Sequence, residues 1–461
     1  MGGSSLFAEV CRETFGVASG WLDLRVLDTT DPTAIQAAMA RAPLERTLFI
    51  VSSKSGSTTE SNALCAYAYD QCQRLLGEHA GQQFIAITDA GTSLEAQATS
   101  LNFRRAFVHG PTTGQDVGGR FSALTYFGLV PAAVMGVDIH RLLTSAQAMR
   151  ARCQPAVSLD DNPAAQLSRF LGQAYAVGRD KVTLLTSASL SRFGVWVEQL
   201  VAESTGKSGK GLIPVIGEPV RALSAYGADR VFIDVQLDSE VDSQLSQRVD
   251  ALIQAGHPVI RLRWKHRSDL GGETIRWFLA TAIAASQMQI NPFDEPNVQE
   301  SKDRTTALLD QFARDGRLPT EESAAADPQR FREWARSAVP GDYVAILSFL
   351  PRTPELDRAV EALRARVADL SGVVTTLGYG PRYLHSTGQL HKGGPATGLF
   401  LMLTADDPVD LPVPGQPYTF SVLKQAQALG DFHALHDRQR RMLKLYLGRS
   451  PLEALDLLRA G

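Results

Sequence analysis

The stretch from Phe49 to Glu60 constrains the fold of this chain more than any other. An apolar, β-branched run ends at Ser52, a turn rich in hydroxyl groups follows, and a helical pattern continues from Thr58 to Leu75. This order predicts a strand, a tight turn and the N-terminus of a helix. The first turn of a helix presents unpaired backbone N–H groups at the positive end of the helix dipole, and together these bind an anion.

Short hydroxyl side chains in this turn favour a phosphate ester as the anion. They are contributed by Ser53, Ser55, Ser57 and Thr58. Gly56 allows the backbone to turn close to a ligand. A capped turn that binds nothing is the alternative. The turn is not a nucleotide-binding P-loop, because the spacing G-x-x-x-x-G-K-[ST] is absent both here and around Gly206-Lys207-Ser208.

Length and composition are those of an ordinary globular protein. The chain has 461 residues, a net charge of −3 at pH 7, 44% hydrophobic and 21% charged residues, which predicts two or three domains with ample core. No basic excess indicates nucleic acid, no apolar stretch reaches the length of a membrane span, and the N-terminus lacks a secretory pattern. The four cysteines have neither metal-ligand nor disulfide spacing. We therefore expect a cytoplasmic enzyme with no nucleic-acid or membrane partner.

Strands alternate with helices along most of the chain. This alternation predicts parallel βαβ units in an α/β fold with doubly wound parallel sheets. We predict two tandem α/β/α sandwiches, a linker and a C-terminal α/β unit, with domains at residues 1–155, 156–313 and 328–461 and the linker at Arg314–Asp327. The pattern also predicts a strand around Trp21–Val26 and a helical cap made by the last 40 residues. Because the Gly-Ser turn at Met1–Ser5 is of a kind that follows a strand, we expect the first strand of the first domain to lie before Met1.

Five groups of polar residues are candidates to converge on one phosphorylated substrate. They are the turn Ser53–Thr58, the segment Gly118-Gly119-Arg120, the pair Gln199 and Glu203, Lys302, and the Gly-rich loop His385–Gly394. Gln199 and Glu203 are four residues apart, so their side chains share one helix face. Each group also has a structural alternative, as a solvated charge, a salt-bridge partner or a loop residue. No metal site is predicted, because no third ligand accompanies the loop histidines at a zinc spacing.

The sequences of these groups resemble the glucose-6-phosphate isomerase family. Ser53–Glu60 resembles the phosphosugar loop of sugar isomerase (SIS) domains. Four further segments resemble family motifs in the family's order: Met1–Ser4 (G-[IM]-G-G-S), Val117–Ser122 (V-G-G-R-[YF]-S), Gln199–Lys207 (Q-L-x-x-E-S-x-G-K) and Asn291–Asp294 with Lys302 (N-P-F-D-Q…K). Tyr383–Pro395 resembles the isomerase part of fused transaldolase/glucose-6-phosphate isomerases.

The resemblance implies a role for each matching residue. Glu203 matches the general base that moves a proton between C1 and C2 through an enediol(ate), and Arg120 matches the cation that stabilises this intermediate. Lys302 matches a lysine near the sugar ring oxygen and C1. The remaining matches are the phosphate cradle (Ser4, Ser53, Lys54, Ser55, Ser57 and Thr58) and two further substrate contacts (Gly119 and Gln199). The resemblance implies no cofactor.

Two features depart from the family pattern. Glu295 stands where many relatives have Gln, so it either adds a negative charge near the site or faces solvent. The family's ring-opening histidine lies between the catalytic Glu and the N-P-F-D segment, where this chain offers only His257 and His266 outside any family motif. We therefore expect the His385–Gly394 loop to supply it, and we prefer His391 over His385 because His391 adjoins Lys392-Gly393-Gly394.

The sequence thus predicts the reversible isomerisation of glucose 6-phosphate and fructose 6-phosphate. The alternatives are an isomerase of another phosphosugar, a non-catalytic sugar-phosphate sensor, and a chain inactivated by the lack of its first strand. The sensor is disfavoured, because binding alone does not need Glu203, Arg120 and Lys302. As partners, the resemblance allows a homo-oligomer and an upstream transaldolase domain.

Overall fold

A computed structural model describes residues 1–110, 117–319 and 324–460. Within these residues, helices and strands alternate and form three separate β-sheets in which every named pair of neighbouring strands is parallel. The predicted α/β fold with parallel sheets is therefore confirmed. The predicted domain boundaries remain predictions.

The first sheet has the order β1-β2-β3. Its strands are β1 (Phe49–Ser52), β2 (Phe84–Asp89) and β3 (Arg105–His109), and the helices of this part are α1 (Gly3–Phe15), α2 (Pro32–Ala40), α3 (Thr59–Leu76), α4 (Ser93–Ser100), α5 (Tyr126–Val134) and α6 (Ile139–Arg152). The central strand β2 is buried from Phe84 to Thr88, as expected for a strand covered on both faces. Residues 111–116, which precede the predicted segment Gly118-Gly119-Arg120, lie outside the described residues.

The strand predicted around Trp21–Val26 is wrong. The segment belongs to none of the three sheets. Leu22 donates a backbone hydrogen bond to Val134 at the end of α5, and Arg12 of α1 binds Asp23 and the carbonyl of Leu24. Trp21 and Leu22 are exposed. The β-like residues of this segment therefore cover the end of α5 instead of entering a sheet.

The second sheet has the order β5-β4-β6-β7, so it is doubly wound about β4. Its elements are α7 (Pro163–Ala176), β4 (Lys181–Thr186), α8 (Ser191–Thr205), β5 (Ile213–Val215), β6 (Arg230–Leu237), α9 (Ser243–Gln254), β7 (Val259–Trp264), α10 (Leu270–Gln287) and α11 (Pro296–Asp315). The short edge strand β5 was not predicted, since it has only three residues and a central proline.

The third sheet has the order β10-β9-β11-β12-β8. Its elements are β8 (Ala324–Ala325), α12 (Pro328–Arg336), β9 (Tyr343–Phe349), α13 (Pro354–Ser371), β10 (Val374–Tyr379), α14 (Gly388–Gly393), β11 (Gly398–Thr404), α15 (Phe420–His436), β12 (Arg441–Tyr446) and α16 (Pro451–Ala460). The helical cap predicted for the last 40 residues is wrong in part, because β12 pairs with β11 inside this sheet. Residues 320–323 of the predicted linker lie outside the described residues, and the two residues that follow them pair with β12.

Helix α8 connects the three parts of the molecule. It is buried from Phe193 to Thr205 except at two positions, and it contacts α1, α10, β5 and α14. Ala202 near its C-terminal end shares an apolar cluster with Tyr343 and Leu390 of the third part. Residues at the C-terminal end of α8 therefore lie where all three parts meet. Within the described residues, no helix has the length and apolarity needed to cross a membrane.

Candidate active site

Two helix N-termini converge beside β1. The hydroxyl of Ser52 donates a hydrogen bond to the carbonyl of Ser4 at 2.6 Å, which joins the first turn of α1 to the turn that precedes α3. Neither the Gly2 nor the Thr58 N-cap supplies a side-chain hydrogen bond to its helix. Helix α2 differs, because the Asp31 carboxylate caps it by accepting a hydrogen bond from the Ala34 amide. The amides of the first turn are therefore available to an external anion.

The hydroxyl groups of the turn before α3 form a small cluster. Ser53 Oγ lies 3.2 Å from Thr58 Oγ1, and Ser57 Oγ lies 3.1 Å from Ser55 Oγ. Gly56 has φ +66°, and a Cβ there would lie 2.6 Å from the Thr92 side chain. This close approach explains the glycine. Lys54 differs from its neighbours, because its ammonium forms an ion pair with Asp89 at the end of β2.

Arg120 lies on a 3₁₀ turn at Gly119–Phe121 and is only 1% exposed. Its Nε donates to Ser204 at 2.9 Å, and Nη1 donates to Glu295 at 2.8 Å and lies 3.3 Å from Glu203. Nη2 donates to the carbonyls of Pro292 and Asp294. These contacts fix a buried guanidinium beside two carboxylates. From the sequence, Glu295 was expected either to add a charge near the site or to face solvent. Its carboxylate reaches the site, and its side chain is 43% exposed.

Glu203 lies near the C-terminal end of α8 and is buried. Burial raises the pKa of this carboxyl group, the charge of Arg120 lowers it, and the charge of Glu295 raises it again. A carboxyl group with a raised pKa holds a proton more readily than an exposed one, which suits a group that both removes and returns a proton.

Gln199 connects Glu203 to the third part of the molecule. Its Nε2 donates to Glu203 Oε2 at 3.2 Å and to the backbone carbonyl of His385 at 2.8 Å, while its buried Oε1 has no partner among the described residues. Gly2 packs closely against both Gln199 and the backbone of His385. It has φ +60°, and a Cβ there would lie 2.9 Å from the His385 carbonyl and 3.0 Å from Gln199 Nε2.

His385 ends a 3₁₀ turn at Arg382–His385, and its Nε2 lies 2.9 Å from Glu60 Oε1. Glu60 is in the first turn of α3, two residues after Thr58. Burial acts to raise the pKa of Glu60, but the charge and hydrogen bond of His385 outweigh it and the pKa falls to about 2. An ionised Glu60 only accepts hydrogen bonds, so Nε2 of His385 carries the proton. No described residue hydrogen-bonds Nδ1 of this ring, which leaves that nitrogen for a ligand.

The structure does not bring His391 to this cluster, and the preference for His391 over His385 is therefore corrected. His391 is buried on α14 among the rings of Tyr343, Tyr383 and Phe400, and this burial lowers its pKa to about 3. The neighbouring Lys392 forms a buried ion pair with Asp431 at 2.7 Å. Both side chains belong to the interior of the third part.

Lys302 lies exposed on α11, and no described residue forms an ion pair with it. Burial lowers the pKa of the Met1 amino group, on which the charges of Asp28, Glu60, Arg382 and Lys302 also act. Lys302 is thus within electrostatic range of the same region as Glu60 without touching the buried cluster.

Glu60 is the site residue that sequence reasoning missed. The signal was present, because Glu60 lies in the first turn of a helix that follows the phosphate-type loop. Its histidine partner comes from a segment 325 residues away, which no local pattern indicates.

The chain is similar in sequence to known proteins. Residues 1–211 match the family described as phosphoglucose isomerase. The chain is 32% identical over 350 residues to a glucose-6-phosphate isomerase of Citrifermentans bemidjiense and 30% identical over 356 residues to one of a Synechococcus species; each match covers 67% of this chain and 64% of the relative. The chain therefore spans less than two thirds of the length of these relatives.

Two solved structures share the fold. A hypothetical protein of Thermus thermophilus has a TM-score of 0.60 at 24% identity, covering 67% of this chain and 81% of its own. A glucose-6-phosphate isomerase of Chlamydia trachomatis has a TM-score of 0.57 at 19% identity, covering 68% of this chain and 69% of its own. At these identities the likeness concerns the fold alone.

Proposed function

Because the chain is a relative of the glucose-6-phosphate isomerases, we propose that it interconverts glucose 6-phosphate and fructose 6-phosphate. The proposal is carried by one continuous path of side chains that begins at the uncapped start of α3. Glu60 binds His385, the His385 carbonyl binds Gln199, Gln199 binds Glu203, and Glu203 faces Arg120. Anion-binding amides, a histidine, a carboxylate and a guanidinium thus border one another.

In this proposal the phosphate binds at the turn Ser53–Thr58. The amides of the first turn of α3 and the hydroxyls of the turn donate hydrogen bonds to it. Ser4 lies in the first turn of α1, and its carbonyl accepts the hydrogen bond from Ser52, which precedes the turn. Lys54 contributes its backbone and not its ammonium, since the ammonium is paired with Asp89. An anchored phosphate holds the sugar carbons in a fixed position relative to Glu203.

Proton transfer is assigned to Glu203. Its carboxylate removes the proton from C2 of the aldose, and the carbonyl oxygen at C1 becomes an enediol oxygen. The proton of the C2 hydroxyl passes to the oxygen at C1, and the same carboxyl group returns its proton to carbon C1, which gives the ketose. The α-proton of a sugar is acidic enough only if the developing oxyanion is stabilised. Arg120 supplies that stabilisation from a buried position, where its charge acts more strongly than in water.

Ring opening is assigned to His385 with Glu60. Opening the pyranose or furanose ring requires a proton to be delivered to the ring oxygen and one to be removed from the anomeric hydroxyl. Nδ1 of His385 is free to exchange such a proton while Glu60 holds Nε2–H. Lys302 is kept as a candidate charge near the ring oxygen, acting from the surface of α11.

The rival hypothesis is a sugar-phosphate sensor that binds without turnover, and an isotope experiment separates it from the enzyme. The chain is incubated with fructose 6-phosphate in deuterated water, and deuterium is sought at C2 of the glucose 6-phosphate formed. We expect incorporation by the parent chain and a fall in kcat of about 10³-fold in Glu203→Gln, within the range of general acid–base catalysis. Binding without turnover in the parent supports the sensor, and turnover of Glu203→Gln at the parent rate removes Glu203 as the base.

Several finer expectations stay proposals. They are the preference for glucose 6-phosphate over another phosphosugar, a cytoplasmic location, a homo-oligomer, and a transaldolase domain upstream in a longer protein. Turnover of several phosphosugars at equal kcat/KM would replace the first of them by a broader substrate class.

A further inference from the structure

Gln427 on α15 also binds the carboxylate of Glu60 that His385 contacts. Its Nε2 donates to Glu60 Oε1 at 2.7 Å, and its Oε1 accepts a hydrogen bond from the hydroxyl of Thr30 at 2.8 Å. Thr30 is fully buried and Gln427 is 3% exposed. A buried amide with both ends paired has one orientation, because turning it over would set an oxygen against the carboxylate.

The same carboxylate oxygen therefore accepts two hydrogen bonds, one from Gln427 and one from His385. Two donors on one oxygen favour the ionised form of Glu60 and fix the direction of its lone pairs. The direction of the carboxylate in turn decides which nitrogen of His385 carries the proton. Without Gln427, Glu60 loses a charge-assisted hydrogen bond and its carboxylate is free to rotate away from the ring.

We propose that Gln427 is a positioning residue for the ring-opening step, which it supports by holding Glu60 in the orientation that keeps the proton on Nε2 of His385. This inference rests on the proposed isomerase function and deepens it. Among the described residues, neither Gln427 nor Thr30 hydrogen-bonds the hydroxyls of Ser53–Thr58, Glu203 or Arg120. The effect of their loss is therefore confined to the step that uses His385.

The kinetic test compares two substrates. Fructose 6-phosphate must open its ring before proton transfer, whereas 5-deoxyfructose 6-phosphate lacks the ring-forming hydroxyl and stays open. In Gln427→Met we expect kcat/KM for fructose 6-phosphate to fall by about tenfold to a hundredfold, less than the full value of a general acid–base step. The open-chain analogue should react within about twofold of the parent rate, because the proton transfer itself does not use His385.

Two further variants and one control sharpen this test. Gln427→Leu has a similar size but supplies no donor, so it should behave like Gln427→Met. Thr30→Val removes only the orienting hydroxyl and should show the same selectivity with a smaller loss. Gln425→Met, on the exposed face of the same helix, should leave both substrates at parent rates. If Gln427→Met does not fold, the ratio of kcat/KM for the two substrates is measured in the other two variants. Equal losses on both substrates, or no loss on either, overturn the proposal.

A spectroscopic measurement addresses the histidine without requiring turnover. Long-range ¹H–¹⁵N correlation spectra of ¹⁵N-histidine-labelled protein distinguish the two ring tautomers, and His385→Asn identifies the signal. For the neutral ring, we expect the Nε2–H tautomer alone in the parent and a mixture with the Nδ1–H tautomer in Gln427→Met. An unchanged His385 signal in that variant contradicts the proposal. Failure of the isomerase function itself is recognised separately, by absence of turnover in a parent chain whose His385 still responds to Gln427→Met.

Discussion

The two parts of the candidate site are held in place in different ways. Arg120 and Glu203 belong to the first two parts and are buried, and the guanidinium also binds Ser204 and the carbonyls of Pro292 and Asp294. His385 stands on a short turn of the third part. That turn is fixed from outside, since Arg382 forms two hydrogen bonds with Glu9 at 3.0 and 2.8 Å and an ion pair with Asp28 at 3.4 Å.

This difference suggests that the two sets of residues act in different steps of the proposed reaction. The residues assigned to proton transfer keep their geometry through their own neighbours, whereas the residues assigned to ring opening depend on the contact of the third part with α1 and α3. Gly2 is the point at which the two parts touch, and a side chain there would press on both the His385 carbonyl and Gln199. Substitutions in the two parts should therefore affect different substrates to different extents.

The largest effect is expected from Arg120→Lys. An ammonium cannot reproduce the forked contacts of the guanidinium to Ser204, Glu203 and Glu295. We expect kcat/KM to fall by about 10³-fold on both fructose 6-phosphate and its open-chain 5-deoxy analogue, comparable to the loss of an oxyanion-stabilising donor. Steady-state kinetics measure kcat/KM on both substrates, and thermal unfolding of the variant serves as a control for folding. A loss confined to the ring-closed substrate would contradict the assignment of Arg120 to proton transfer.

His385→Asn should have a smaller and selective effect. We expect kcat/KM to fall by about 10²-fold on the ring-closed substrate and to stay within about threefold on the open-chain one, because only ring opening uses the imidazole. His391→Asn, six residues further along the chain, is the matched control and should leave the ratio of the two rates unchanged. A stronger effect of His391→Asn on that ratio would restore the preference for His391.

His391 should instead affect stability as a function of pH. Its pKa is lowered to about 3 in the folded protein by burial, against about 6.5 in an unfolded chain. Between these values the unfolded state binds the extra proton, so stability is unaffected above pH 6.5 and is lost as the pH falls toward 3. At pH 5 the loss is about 2 kcal/mol.

Urea unfolding of the parent and of His391→Gln at pH 7 and pH 5 checks this value. The comparison of the two proteins removes the contributions of other groups, such as the buried carboxyl groups of Glu198 and Glu273, whose pKa values burial raises to about 7. The variant should lose less stability than the parent on acidification. Equal losses in the two proteins would place His391 outside the apolar interior.

The smallest effect is expected from Glu295→Gln. Burial is the main cause that raises the pKa of Glu203, and the charge of Glu295 adds to it. Removing that charge should lower the pKa of Glu203, so that the acidic limb of the kcat/KM profile moves to lower pH by less than about one unit. The pH dependence of kcat/KM measures this directly, and a shift to higher pH would show that Glu295 acts by another route.

The sequence predicted those elements whose pattern is set locally. The boundaries of α6 (Ile139–Arg152), β4 (Lys181–Thr186) and β9 (Tyr343–Phe349) follow from periodicity and from buried β-branched runs. Residues 21–26 and β12 were misjudged because a strand exists only where a partner strand lies beside it, and tertiary structure alone decides that.

The same limit applies to the site. The turn Ser53–Thr58, Arg120, Gln199 and Glu203 belong to contiguous motifs, and the structure brings them together, although their roles remain predictions. The choice between His385 and His391 depended on which of two nearby imidazoles faces the first part of the molecule. Loop sequence contains no such information, and neither does it reveal that Glu60 and Gln427 meet.

The most direct test is the crystal structure of the chain with an open-chain sugar acid phosphate whose terminal carboxylate imitates the planar enediolate. We expect the phosphate to bind the amides and hydroxyls of the turn Ser53–Thr58 and the ligand carboxylate to lie between Arg120 and Glu203. A Glu203 oxygen should lie within hydrogen-bond reach, about 3.2 Å or less, of the atoms that imitate C1 and C2. A phosphate bound elsewhere, or a ligand carboxylate remote from Glu203, would contradict the proposed isomerase site.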